Sequence, residues 1–240
     1  MSGRAALSPR LAMAAGLVPG DRKNIRLADI GTDHAYLPVW LLQNRGTDLA
    51  HVIAADLRPG PLDRARQTVR AAGLEGAVDF RLCDGLEGLR PGEADVIVIA
   101  GMGGETIAHI LAHAPWYDWA GITLILQPMS SMPDLRGWLG AHGFAIEREE
   151  LCREGDTLYT AFLVRVGAMP PLSLGELWAG RNAPGPLRGP WLDLWLARVG
   201  RALAGMSQAR GEETASRREE LEQVRADLLE MKKEWETWQR

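Results

Sequence analysis

Asp33, Asp56 and Asp84 each stand where a short apolar run ends. The first run closes as Leu27-Ala28-Asp29-Ile30-Gly31-Thr32-Asp33-His34. A glycine at such a point lets a strand turn sharply into a helix and lets a ligand approach the backbone. A dinucleotide site would carry a second glycine where Asp33 stands, because a diphosphate needs bare backbone amides there. A carboxylate would repel it. Asp56 closes the second run, where an acid can accept hydrogen bonds from both hydroxyls of a ribose. Asp84, in Cys83-Asp84-Gly85, can accept from an amino group on a purine. One solvated strand-end acid is commonplace, but three at the ends of three successive strands converge on one crevice.

That crevice suits a nucleoside bearing positive charge and no phosphate. S-adenosylmethionine, with an ammonium and a sulfonium, fits the description. The fourth apolar run ends in Ile99-Ala100-Gly101-Met102-Gly103-Gly104. Small residues there let a flat base lie against the backbone, and Gly103-Gly104 opening a helix leaves free amides. Close packing of helix on sheet is the structural alternative. Gln127-Pro128, after the fifth run, could hydrogen-bond a base edge. No His, Cys and Asp spacing suits a metal; His109 and His113 share a helix face but lack a third ligand.

Positioning these residues requires strands alternating with helices. The pattern predicts strands over Ile25–Ile30, Val52–Asp56, Val78–Cys83, Asp95–Ala100 and Ile122–Gln127. Helices are predicted over Arg10–Gly16, Ala35–Asn44, Pro61–Ala72, Gly104–His113 and Pro133–His142. Five such alternations give a parallel sheet with helices on both faces. Phe144–Leu151 and Leu158–Val166 flank the polar turn Arg153–Asp156 and predict a terminal β-hairpin, hence an antiparallel edge. The expected fold is a Rossmann-like α/β domain over residues 1–166 with a seven-stranded, mostly parallel sheet. Residues 167–190, rich in proline and glycine, read as a linker. Beyond them Leu192, Leu196, Val199, Leu203 and Met206, then Leu221, Val224, Leu228, Met231, Trp235 and Trp238, step by three and four. Two such stripes predict an antiparallel helical coiled-coil hairpin over 191–240.

The 240 residues carry a net charge of −4, which argues against a general polyanion binder. The basic exception is 181–210, with Arg181, Arg188, Arg198, Arg201 and Arg210 against the single acid Asp193. Cys83 and Cys152 form no disulfide framework and read as reduced thiols of a cytoplasmic protein. No apolar run reaches membrane-spanning length.

The strings Asp29-Ile-Gly-Thr-Asp-His-Ala-Tyr-Leu-Pro38, Ile99-Ala-Gly-Met-Gly-Gly104 and Leu124-Ile-Leu-Gln-Pro128 resemble the signatures of the bacterial tRNA (adenine(22)-N1)-methyltransferases. Leu7-Ser-Pro-Arg-Leu11 and the C-terminal hairpin are also similar. The resemblance implies a class I methyltransferase using S-adenosylmethionine, with tRNA as partner, methylation at adenine N1 in the D arm, and a coiled-coil domain that helps hold tRNA. Some members carry Asn where Met129 stands and Glu where Asp56 stands. The residues expected around the cofactor are Arg10, Asp29, Gly31, His34, Asp56, Leu57, Asp84, Gly85, Ala100, Gly101 and Met102. Those expected on the substrate side are Gly103, Gly104, Gln127, Pro128, Arg181, Arg188, Arg198 and Arg201, with Arg10 also facing phosphates. Asp33 is the catalytic candidate. It would accept from the adenine amino group or stabilise the charge that develops on the ring. A monomer without metal or membrane contact is expected, with dimerisation through the hairpin left open. The rival readings are a nicotinamide-dependent dehydrogenase, which the missing second glycine and the terminal hairpin disfavour, a methyltransferase of another RNA adenine, and a non-catalytic RNA-binding protein of the same fold.

Overall fold

A computed structural model of the chain describes residues 6–115, 118–181, 185–206 and 211–239. Helix α1 (Pro9–Gly16) is started by the Ser8 side chain, which accepts from the Leu11 amide, with Pro9 in the first turn. Then follow β1 (Ile25–Ile30), α2 (Tyr36–Arg45), β2 (Leu49–Asp56), α3 (Pro59–Ala71), β3 (Asp79–Leu82), β4 (Val96–Gly103), α4 (Gly104–Ala112), β5 (Thr123–Ser130), α5 (Met132–Ala141), β6 (Phe144–Glu154) and β7 (Thr157–Val166). The sheet has the order β3-β2-β1-β4-β5-β7-β6. Strands β1 to β5 are parallel, and β7 runs antiparallel between β5 and β6. The mostly parallel sheet with a terminal antiparallel hairpin is thus the one the sequence predicts.

The central strands are buried on both faces, which is why β4 begins with the unbroken apolar run Val96-Ile97-Val98-Ile99. One core lies on the face covered by α4 and α5 and contains Ile97, Ile99, Ile107, Leu135 and Phe162. The other lies under α1, α2 and α3 and contains Ala14, Leu37, Leu41, Ala65, Val96 and Val98. The strand order reverses between β1 and β4, so a crevice opens at their carboxyl ends.

Two departures from the predicted elements matter for function. Strand β4 continues past Ala100 to Gly103, pairing with β5 as far as Ser130, and its ladder skips Gly101. The glycine segment is therefore a bulged strand end rather than a loose loop. The supposed linker also contains structure. Helix α6 (Leu174–Ala179) opens with a reciprocal capping box between Ser173 and Glu176, and α7 (Arg188–Gly205) begins inside the same segment. A third core joins Met132 and Leu158 of the sheet domain to Ala179 of α6, to Trp191, Trp195 and Val199 of α7, and to Leu221, Val224 and Leu228 of α8 (Glu212–Trp238). The C-terminal helices pack on one another and on the sheet domain. Trp238, placed in the stripe by spacing, is 85% exposed. Arg210 and the turn between α7 and α8 at 207–210 lie outside the described residues.

Candidate active site

The turn after β1 is built by the backbone. The amides of Gly31 and Thr32 both donate to the carbonyl of Ala55 on β2, at 2.8 and 3.0 Å. Gly31 has φ +73°, and a Cβ there would run into the Met102 methyl group. Glycine takes that φ without strain, and any side chain would also have to displace the Met102 methyl. Asp33 and Ala35 adopt left-handed conformations at φ 47° and 55°. Two non-glycine residues held this way in one turn mark a surrounding structure that fixes the backbone at some cost.

Two cavities meet at this turn. One, of about 580 Å³, runs past Asp56, Leu57, Asp84, Gly85, Ala100, Gly101 and Met102. The other, of about 460 Å³, is lined by Arg10, Asp29, Thr32, His34, Tyr36 and Glu154. Gly31, Asp33, Ala100 and Gly101 line both. The Asp56 carboxylate accepts from the amides of Asp33 (3.4 Å) and Arg58 (3.0 Å) and keeps further acceptor capacity on the cavity side. Asp29 is 6% exposed. Burial pushes its carboxyl up to about 6, against the opposing effect of the Thr32 hydroxyl, which donates at 2.6 Å, with a smaller upward push from the Asp56 charge. Asp33 points out of the turn, with one oxygen 2.7 Å from Arg64 and the other 3.7 Å from Nε2 of His34. The His34 ring stacks on Tyr36 with centroids 5.1 Å apart.

All the residues expected around the cofactor line one or other cavity, and Asp33 stands at the junction. The substrate set is placed differently. Gln127 is wholly buried, and its side-chain oxygen accepts from Arg10 (2.9 Å) and from the Gly101 amide (3.1 Å). With that oxygen engaged and the side chain out of reach, it cannot read a base edge. Pro128 is buried beside it. Gly104 is buried as well; a Cβ there would meet the backbone carbonyl of Ser131, so this glycine serves the close packing of α4 on the end of β5. Beyond it, Gly103 is half-buried and Met129 and Ser130 are exposed. Two of the arginines have their guanidinium donors engaged within the chain. Arg188 is buried and donates to the carbonyls of Ala179 (2.6 Å) and Gly180 (2.7 Å). Arg181 pairs with Glu176 at 2.6 Å and reaches the carbonyl of Pro171. Their donors close the α6 segment, within the stretch expected to be a linker. Arg198 and Arg201 are exposed on α7, Arg198 lying over the Trp195 ring at 4.8 Å. Thr32, Tyr36 and Glu154, which line the cavity, and Arg64, which pairs with Asp33, are residues the sequence did not single out. Tyr36 could have been found by its position two residues from His34, while Arg64 carries no local signal.

A doubly wound sheet ending in an antiparallel hairpin, with strand-end acids and no phosphate cradle, defines a Rossmann-like methyltransferase. A family profile described as "Methyltransferase domain" accordingly matches residues 7–162. Within that class the chain belongs to the tRNA (adenine(22)-N1)-methyltransferase family. It is 37% identical over 161 residues to the tRNA (adenine(22)-N(1))-methyltransferase of Bacillus subtilis, a match spanning 67% of this chain and 66% of that one. The crystal structure of the B. subtilis m1A22 tRNA methyltransferase TrmK is similar with a TM-score of 0.78 and 31% identity, over 95% of this chain and 99% of that one. The structure of M. capricolum TrmK in complex with S-adenosylhomocysteine is similar with a TM-score of 0.72 and 28% identity, over 92% of this chain and 98% of that one.

Proposed function

We propose that this protein transfers the methyl group of S-adenosylmethionine to N1 of adenine 22 in tRNA. The observation that carries the reading is the meeting of two acid-lined cavities at one strained turn, with Asp33 at their junction. The donor set suits the cofactor. Asp56 can hold the ribose hydroxyls, Asp84 the adenine amino group, Asp29 the ammonium and Arg10 the carboxylate. When bound, the cofactor supplies an electrophilic methyl group that leaves sulfur without its bonding pair, giving S-adenosylhomocysteine.

Adenine N1 attacks with its own lone pair, so no residue need first remove a proton. The chain's contribution is to position the base and to stabilise the positive charge it acquires. Asp33 accepts from the adenine amino group and faces the charged ring, with Arg64 bonded to one of its oxygens and His34 3.7 Å from the other. N1 is engaged when adenine is paired, so the base must leave the stack. Gly103, Met129 and Ser130 receive it, and Arg198 and Arg201 bind phosphates. In this reading residues 1–166 form the catalytic unit, the C-terminal helices hold tRNA, and the protein acts as a cytoplasmic monomer. The test is methylation of bulk unmodified tRNA with labelled cofactor, followed by nucleoside analysis. N1-methyladenosine is expected; methylation at N6, or of protein only, overturns the reading. Asp33→Ala should lose turnover by about a hundredfold or more while retaining cofactor affinity. Undiminished turnover would remove Asp33 from the mechanism.

A further inference from the structure

The fully buried side chain of Gln127 joins three elements through one amide group. Its oxygen accepts from Arg10 of α1 at 2.9 Å and from the backbone amide of Gly101 at 3.1 Å. Its nitrogen donates to the carbonyl of Pro128 at 3.0 Å and lies 3.7 Å from the Met129 sulfur. The two groups that share the oxygen also touch each other's space. Gly101 has φ +81°, and a Cβ there would lie 3.1 Å from the Arg10 guanidinium. The guanidinium is further placed over the Tyr159 ring at 5.8 Å, and the Arg10 backbone amide donates to Glu154 at 3.1 Å.

The chemistry of the holding group matters. A carboxylate at position 127 would bind the guanidinium tightly and neutralise it. A neutral amide oxygen orients the guanidinium and leaves its charge, with its remaining donors, directed to the cavity that also contains Asp29. That cavity therefore offers a cation and an anion side by side, the complement of an amino-acid zwitterion. The same amide oxygen satisfies Gly101, the residue at which the β4 ladder breaks before Met102 and Gly103 reach the acceptor side. That 3.1 Å bond ties the start of the segment to the same side chain that holds Arg10.

We infer that Gln127 is a positioning residue that holds Arg10 for the carboxylate of the cofactor's amino-acid tail and ties the start of the methyl-acceptor segment to the same atom. This deepens the methyltransferase reading and rests on it. It is tested with two ligands that share the adenosyl-sulfur portion, S-adenosylhomocysteine, which has the tail, and 5′-methylthioadenosine, which lacks it. Titration of the full-length protein should show that Gln127→Leu weakens S-adenosylhomocysteine by about tenfold or more, the size of a lost hydrogen bond to a charged group. Methylthioadenosine should keep its affinity within about twofold, a change well below that of one such bond. The near-isosteric Gln127→Glu should give the same selective loss by neutralising Arg10, and it decides the matter if the leucine variant fails to fold. Arg10→Ala should reproduce the pattern, and the Arg10→Ala, Gln127→Leu double variant should lose nothing further. Equal losses for both ligands, or unchanged S-adenosylhomocysteine affinity, overturn the assignment. A wild-type protein that binds neither ligand overturns the methyltransferase reading itself, an outcome distinct from a wild type that binds both and is indifferent to position 127.

Discussion

Acidification should weaken cofactor binding through Asp29, and the size of the effect follows from its surroundings. Burial chiefly pushes this carboxyl up to about 6, partly offset by the Thr32 hydrogen bond, with the Asp56 charge adding the smallest push upward. The cofactor's ammonium favours the ionised form. If only that form binds, the dissociation constant rises by about 10% at pH 7, about twofold at pH 6 and about elevenfold at pH 5. Calorimetric titration with S-adenosylhomocysteine in buffers of different ionisation enthalpy should then show release of about half a proton at pH 6 and almost none at pH 8. Asp29→Asn should abolish the pH dependence and weaken binding near neutrality by about tenfold or more, as expected for loss of a charge-assisted contact. The ligand-free protein should respond in the opposite sense. A raised folded-state pKa gives stability that is fully present below the unfolded value, near 3.8, and is lost as pH rises through about 6. Two units at 1.36 kcal/mol each put that loss at about 3 kcal/mol, which Asp29→Asn should largely restore at neutral pH. Affinity that is flat between pH 5 and 7, or proton release that persists in the asparagine variant, refutes the reasoning.

Two further predictions concern the C-terminal helices. Arg136 and Glu149 form a buried pair at 2.7 Å, and Arg136 also donates to the carbonyls of Leu177 (2.8 Å) and Trp178 (3.1 Å); Glu149→Ala strands the guanidinium and should cost about 3–5 kcal/mol in denaturant unfolding, and a loss under about 1 kcal/mol would show the pair to be incidental. Replacing both Arg198 and Arg201 with alanine should raise KM for tRNA, leave S-adenosylhomocysteine affinity unchanged, and lower the slope of log affinity against log salt by about 1.5; an unchanged slope would place the phosphate contacts elsewhere.

The architecture was legible because it rests on periodicity. Val96-Ile97-Val98-Ile99 announces a strand covered on both sides, and the Arg153–Asp156 turn announces the hairpin. The strand-end acids could be placed in a crevice because strand ends converge in any doubly wound sheet. What escaped the sequence was direction. Nothing local distinguishes a Gln127 that faces a base from one that faces Arg10, or an Arg188 that faces a phosphate from one that seals the end of α6. The α6 helix is a different case. Its Ser173-Leu-Gly-Glu176 capping box stands in the sequence, and the surrounding prolines obscured it.

The contact between the Arg10 amide and Glu154 spans 144 positions, and that between Arg10 and Gln127 spans 117. Translation makes these partners in order, so α1 emerges from the ribosome long before either residue that fastens it over the cavity. A nascent chain arrested before Gln127 has made most of the central strands but lacks the groups that orient Arg10, and one arrested before Glu154 lacks the last of them. Competence to bind the cofactor's tail therefore arrives late in synthesis, close to completion of the sheet.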